Sequence, residues 1–136
     1  MAPLAKARNT FARSQFSQHS IPCASGAKIF AGAMVAINAI GGAIPASNAA
    51  GPHVIGRADE TVDNTGGSLG TKRVLVTEGI YKWNNAGTVV AAELGKVCDV
   101  SDDNTVAIRA TGCKAGIVVE IESDGVWVKS TLEGTL

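Results

Sequence analysis

"AGIVVEIESDGVWVKS", residues 115–130, decides the fold of this chain. Two runs rich in β-branched residues flank Asp124-Gly125, and Asp-Gly between such runs is a strong tight-hairpin signal because both residues tolerate positive φ. Along the first run Glu120 and Glu122 alternate with Val119 and Ile121. Strand side chains point alternately to opposite faces, so the two acids are expected in solvent and Val119 and Ile121 in the core. The carboxylates thus form a solvated row and not an acid–base pair.

The next segment upstream, "VSDDNTVAIR" (residues 100–109), is the most acidic short stretch of the chain. Counted from Asp99, the oxygens of Asp99, Ser101 and Asp103 fall at positions 1, 3 and 5 of a helix–loop–helix calcium site. Such a site also demands glycine at position 6 and a bidentate glutamate at position 12. Here those positions are Asn104 and Ala110, and the flanks are strand-like. Asp and Asn bond their own backbone in turns, so this stretch is read as a hairpin tip.

Further out the same pattern repeats. "AMVAIN" (33–38) and "AIPAS" (43–47) form a hairpin around Gly41 and Gly42, and "HVIGRADETV" (53–62) carries Gly56 where a bulge or close approach is expected. "TVDNTGGSLG" (61–70) is a loop by composition. "KRVLVTEGIYKW" (72–83) reads as one long strand bent at Gly79, and "VVAAEL" (89–94) as one short helical turn. No segment keeps a helical period over three turns, so the expected fold is all-β, a compact sandwich or small barrel.

The chain has 136 residues, 46% of them hydrophobic, with 21 Ala and 16 Gly but only 4% aromatic. That suits one domain of closely approaching backbones and not an aromatic-lined pocket. Charge divides the chain. Lys6, Arg8, Arg13, Lys28 and Arg57 precede the first acid, Asp59, and from Ala58 onward seven basic residues meet twelve acids. Residues 1–28 are therefore read as an extended basic arm and residues 29–136 as the β domain. The acid-free, Arg- and Ser-bearing start also has the composition of a mitochondrial transit peptide, but the reading adopted is an arm held by contacts outside its domain.

Chemical motifs fare poorly. Cys23, Cys98 and Cys113 show neither a disulfide framework nor metal spacing and are expected to be buried thiols. His19 lies four residues from Cys23, which invites a Cys–His nucleophile, but both fall in the arm next to Pro22, and His53 follows Pro52 in a turn. "GGSLGTK" (66–72) leads into a strand where a phosphate loop needs a helix. Lys82 and Lys28 lie in strands and not at the hairpin tip a carrier lysine needs. No enzyme activity, cofactor, metal or small-molecule substrate is expected, and no run of about 18 apolar residues suggests a membrane span. In the arm, Phe11 and Phe16 alternate with Arg8 and Arg13. Stacking on single-stranded nucleic acid is one reading, but four basic residues in 28 are few for tracking phosphates. The preferred contact residues toward a neighbouring protein are Lys6, Arg8, Phe11, Arg13 and Phe16, with the phenylalanines as anchors.

Taken together, "KIFAGAMVAINAIGGAIPA" (28–46), "GIYKWN" (79–84), "AELGKVCDVSDDNTV" (92–106) and "KAGIVVEIESDGVWV" (114–128) resemble the head decoration, or cement, proteins of tailed bacteriophages and prophages. The resemblance implies a β-sandwich or β-tulip and a homotrimer at three-fold positions of the capsid. It also implies a place on the virion surface, where the protein clamps neighbouring major capsid proteins without covalent chemistry. Another virion component, of tail or connector, is the alternative, and a nucleic-acid-binding barrel a more distant one.

Overall fold

The computed structural model describes residues 5–7, 17–49, 52–109 and 111–130. The described chain is all-β, with a single 3-10 turn at Ala91–Glu93 where the short helical turn is expected. The strands are β1 (Gln18–Pro22), β2 (Lys28–Ile29), β3 (Met34–Ile37), β4 (Ala43–Pro45), β5 (His53–Ala58), β6 (Val62–Asp63), β7 (Arg73–Thr77), β8 (Ile80–Asn85), β9 (Val97–Asp102), β10 (Thr105–Ala107), β11 (Lys114–Glu122) and β12 (Gly125–Lys129).

Five of them close on themselves. The hairpins β9–β10 and β11–β12 are antiparallel, β12 pairs β8 and β11 pairs β9, and β8 meets β10 to complete the ring. A ring with an odd number of strands cannot be antiparallel throughout. The β8–β10 pair, Thr105 opposite Asn84 and Val106 opposite Asn85, is the parallel one. The turns are as local chemistry dictates. Asp102 Oδ1 accepts the Asn104 amide at 3.0 Å, so the acidic stretch does turn the chain.

The remaining strands wrap a second core. The path β4–β3–β5–β7–β1 is antiparallel at each step, and beyond β1 the chain returns to β4 through a bridge between Cys23 and Ala43. The small ladder β2–β6 lies over it. β3 is the partition between the cores. Met34 and Ala36 join the barrel core with Trp83, Val100, Val106, Val118, Val126 and Val128, whereas Val35 joins Ile29, Ile55, Val74 and Val76 on the other side. Alternation along a strand buried on both faces produces this division.

Two glycines are required by close backbone approach. A Cβ on Gly56 would stand 2.5 Å from the Thr77 carbonyl oxygen, where β5 meets β7. A Cβ on Gly116, at φ 146°, would stand 2.2 Å from the Lys129 oxygen. The first is the close approach expected at Gly56, and a register shift between β3 and β5 accompanies it.

Three expectations are corrected. Residues 18–28, assigned to the arm, belong to the body: all five residues of β1 pair with β7, β2 forms its own ladder, and Cys23 is fully buried. Polar "QHS" and Pro22 hide the strand in the sequence, yet a strand at the sheet margin tolerates both. Residues 72–83 are two strands, because the chain crosses at Gly79 from the wrap (β7) into the barrel (β8). That corner is fastened by Ser130, whose amide donates to the Gly79 oxygen and whose hydroxyl accepts the Gly79 amide, both at 2.9 Å. Val119 is 47% exposed and not buried, because a bulge between Val118 and Glu120 breaks the alternation there.

Candidate interaction surfaces

The arm meets the body at a built junction. Ser17 and Glu78 begin the β1–β7 ladder, the Glu78 amide donating to the Ser17 oxygen at 3.1 Å. His19 and Glu78 share one face of the ladder, their Nε2 and Oε2 atoms 3.5 Å apart and buried. On the opposite face the Asp59 carboxylate gathers three elements. Gln18 Nε2 donates from β1 at 2.9 Å, Thr77 Oγ1 from β7 at 2.5 Å and Arg57 from β5 at 3.4 Å. Burial raises the Asp59 pKa, but these hydrogen bonds and the Arg57 charge outweigh it and hold the carboxyl below its ordinary value. Arg57 in turn lies over the Tyr81 ring at 4.5 Å, and the Tyr81 hydroxyl donates to the Thr77 oxygen. The root of the arm is thereby tied to β5, β7 and β8.

Of the contact residues expected in the arm, Lys6 is described and exposed. Arg8, Phe11, Arg13 and Phe16 lie outside the described residues.

The margins of the wrap are guarded. Ser17 and Cys23 both turn their hydrogen-bonding groups toward the β7 side, through Glu78, Lys72 and Gly70. By parity Gln18, Ser20 and Pro22 point theirs outward. Pro22 has no amide hydrogen to offer, and the Ser20 oxygen is taken by Arg73 Nη2 at 2.8 Å while Arg73 Nε bonds the Ser20 hydroxyl at 2.9 Å. β4 likewise ends in Pro45. Proline and arginine at sheet margins discourage unwanted strand addition.

The chemical candidates of the sequence are engaged structurally. Cys23 and His19 are four residues apart on one extended strand, about 13 Å at the usual rise. Burial, then the Glu60 charge, raises the Cys23 pKa. Cys98 is pushed up to about 12 and Cys113 to about 11, in each case by burial first and the Asp99 charge second. A reactive thiol needs the opposite environment. Asp99, first of the candidate calcium ligands, is buried and paired with Lys114 Nζ at 2.7 Å, and its other oxygen accepts the Arg109 amide at 2.8 Å. An incoming cation would have to displace an ammonium. Among the described residues no cluster of three or more His, Cys, Asp or Glu side chains could hold a metal. His53 sits on β5 opposite Ile37 and Lys114. Residues 66–72 wrap the buried Asn64, whose side-chain amide donates to the Ala24 oxygen at 2.8 Å and the Ser68 oxygen at 3.1 Å.

Sequence reasoning missed Trp127 and gave Asp59, beside Glu60, no role beyond a solvated face. "RAD" at a strand end carries no motif, and the role of Asp59 depends on β7 and on β1, which the sequence reading assigns to the arm. Trp127 lies between Val126 and Val128, both buried, so alternation alone signals that it faces outward. No family model matches the chain, and neither a curated protein nor a solved structure matches it.

Proposed function

We propose that this is a structural protein of a phage virion that binds the outside of the capsid and stabilises it by clamping neighbouring major capsid proteins. The observation that carries this reading, beside the sequence resemblance, is the anchored root of the arm. Ser17, Gln18 and His19 are held by Glu78 and Asp59, with Thr77 and Arg57 as further partners of Asp59. A segment whose root is fixed in this way can transmit load from a partner into the body. In this reading Phe11 and Phe16 anchor in apolar pockets of the coat, each contributing about 1.5–3 kcal/mol on burial. Lys6, Arg8 and Arg13 favour an acidic coat face and set registry. Binding the assembled shell and not its free subunits shifts the assembly equilibrium by mass action, and many symmetric copies add avidity. Three copies about a three-fold position are the arrangement the resemblance suggests.

The test is binding of the full chain and of a chain lacking residues 1–16 to expanded capsids and to free coat subunits. The cut stops before Ser17 because residues 18–20 belong to β1. The reading expects particle binding by the full chain, loss of at least tenfold in affinity on truncation, and no binding to free subunits. Equal decoration by both chains would make the arm a passenger. Equal binding to free subunits would remove the clamp.

A further inference from the structure

We propose that the outer face of β11, β12 and β8 pairs with the same face of a second copy of this chain, across a two-fold axis, with Trp127 at its centre. Val126 and Val128 point into the barrel core, so Trp127 and Lys129 point out. On β8 the buried Trp83 leaves Lys82 outward by the same parity. Across the strands Trp127 stands between Glu120 on β11 and Lys82 on β8, and Lys129 stands opposite Ile80. Trp127 is half-buried, Ile80 is 37% exposed and Val119 at the bulge 47%. Three outward apolar side chains thus gather on one barrel wall.

The indole is held in place. Its Nε1–H donates to Glu122 Oε1, and the Glu122 carboxylate also lies 3.8 Å from Lys82 Nζ, which pairs with Asp124 at 2.6 Å. These charges satisfy each other within one chain. Glu120 and Lys129 do not: both are exposed, and neither has an ion-pair partner among the described residues. They flank Trp127 in two directions. Glu120 is its cross-strand neighbour, about 5 Å away. Lys129 is two residues along the same strand, about 7 Å away.

These near-equal distances define the partner. A two-fold axis lying in the plane of the face and bisecting the two directions superposes Glu120 of one copy on Lys129 of the other, and the reverse, with Trp127 over Trp127. The face is its own complement in charge, as an isologous contact requires. A rigid aromatic centre ringed by polar groups is also the usual anatomy of a binding hot spot. This contact is separate from the arm and from any three-fold association on a capsid, and it stands or falls without them.

The test is sedimentation equilibrium over a range of concentrations on the full chain, Glu120→Lys, Lys129→Glu and Trp127→Ala, with circular dichroism confirming each fold. The full chain is expected to dimerise. Glu120→Lys sets lysine over lysine and Lys129→Glu sets glutamate over glutamate, so each alone should weaken association at least tenfold. An equimolar mixture of these two variants restores both pairs and should recover the dimer, a result that misfolding cannot produce. Trp127→Ala should weaken association about a hundredfold. A monomeric full chain, an oligomer whose mass neither charge variant changes, or charge variants that stay apart when mixed would overturn the pairing.

Discussion

The barrel and the wrap solve the same problem in different ways. In the barrel, β8 to β12 satisfy one another around a closed ring, and the parallel β8–β10 pair removes the last edge. The wrap, β1, β3, β4, β5 and β7, closes through the Cys23–Ala43 bridge and keeps open margins, which it blunts with Pro22, Pro45 and the Arg73 guanidinium. Its core is also the smaller, nine buried residues against fourteen. Closure makes a ladder hard to open at any one point, whereas a margin can fray. The arm therefore leaves from the part of the molecule expected to open first, and the Asp59 and Glu78 contacts hold that part shut.

The largest predicted effect is in the barrel. Gly116→Ala adds a methyl group at positive φ against the Lys129 backbone oxygen. It should cost about 3 kcal/mol or more, the strained conformation alone accounting for about 1–3. Denaturant unfolding checks it, and a loss below about 1 kcal/mol would mean that the barrel relaxes easily.

Next come two truncations that compare the cores directly. Met34→Ala in the first and Ile29→Ala in the second remove side chains that are both fully buried. Each should cost about 2–5 kcal/mol. Native-state hydrogen exchange separates them. Ile29→Ala should speed exchange mainly in the wrap, and Met34→Ala in both regions because β3 divides them. Uniform acceleration by both variants would make the body one cooperative unit.

A smaller effect belongs to the arm root. The folded pKa of Asp59 lies below its unfolded value, so its contribution is present above about pH 4, the unfolded range, and is lost as pH falls through the folded pKa. Asp59→Asn should cost about 1–2 kcal/mol at pH 7 through weakened hydrogen bonds. It should also flatten the acid limb of the stability profile below pH 4. Parallel pH profiles for parent and variant would show that another carboxylate governs that limb.

What the sequence made legible is what short-range chemistry controls. The β11–β12 hairpin turns at Ser123-Asp124, one residue before the expected Asp124-Gly125, with Gly125 paired opposite Glu122 and not at positive φ. Asp103-Asn104 and the turn from Asn38 to Gly42 are written in residues that choose their own backbone, and both are found where expected. In the last of these Asn38 Oδ1 accepts the Gly42 amide at 2.8 Å. The close approach at Gly56 was legible because glycine inside a strand has few other reasons. Ring closure through the β8–β10 pair and the joining of wrap to barrel through the β5–β11 pair were not, because each joins segments with no shared local signal. β1 was not, because its polar residues read as arm until β7 is set beside them. For the candidate interaction surfaces the gap is wider. The arm residues are visible as a charge pattern, whereas Asp59 and Trp127 acquire their meaning from neighbours on other strands.

The most direct test of the two-part account uses the cysteines that the molecule already carries. Cys23 belongs to the wrap core, and Cys98 and Cys113 to the barrel core. All three are buried with raised pKa values, so each labels only when its surroundings open. Three variants, each retaining one cysteine, are exposed to an excess of thiol reagent at pH 8 under native conditions. Cys23 should label at least tenfold faster than Cys98 or Cys113, whose rates should agree and follow global unfolding as denaturant is added. Equal rates at all three positions would show that wrap and barrel open together, and faster labelling at Cys98 or Cys113 would reverse the order of stability assigned to them.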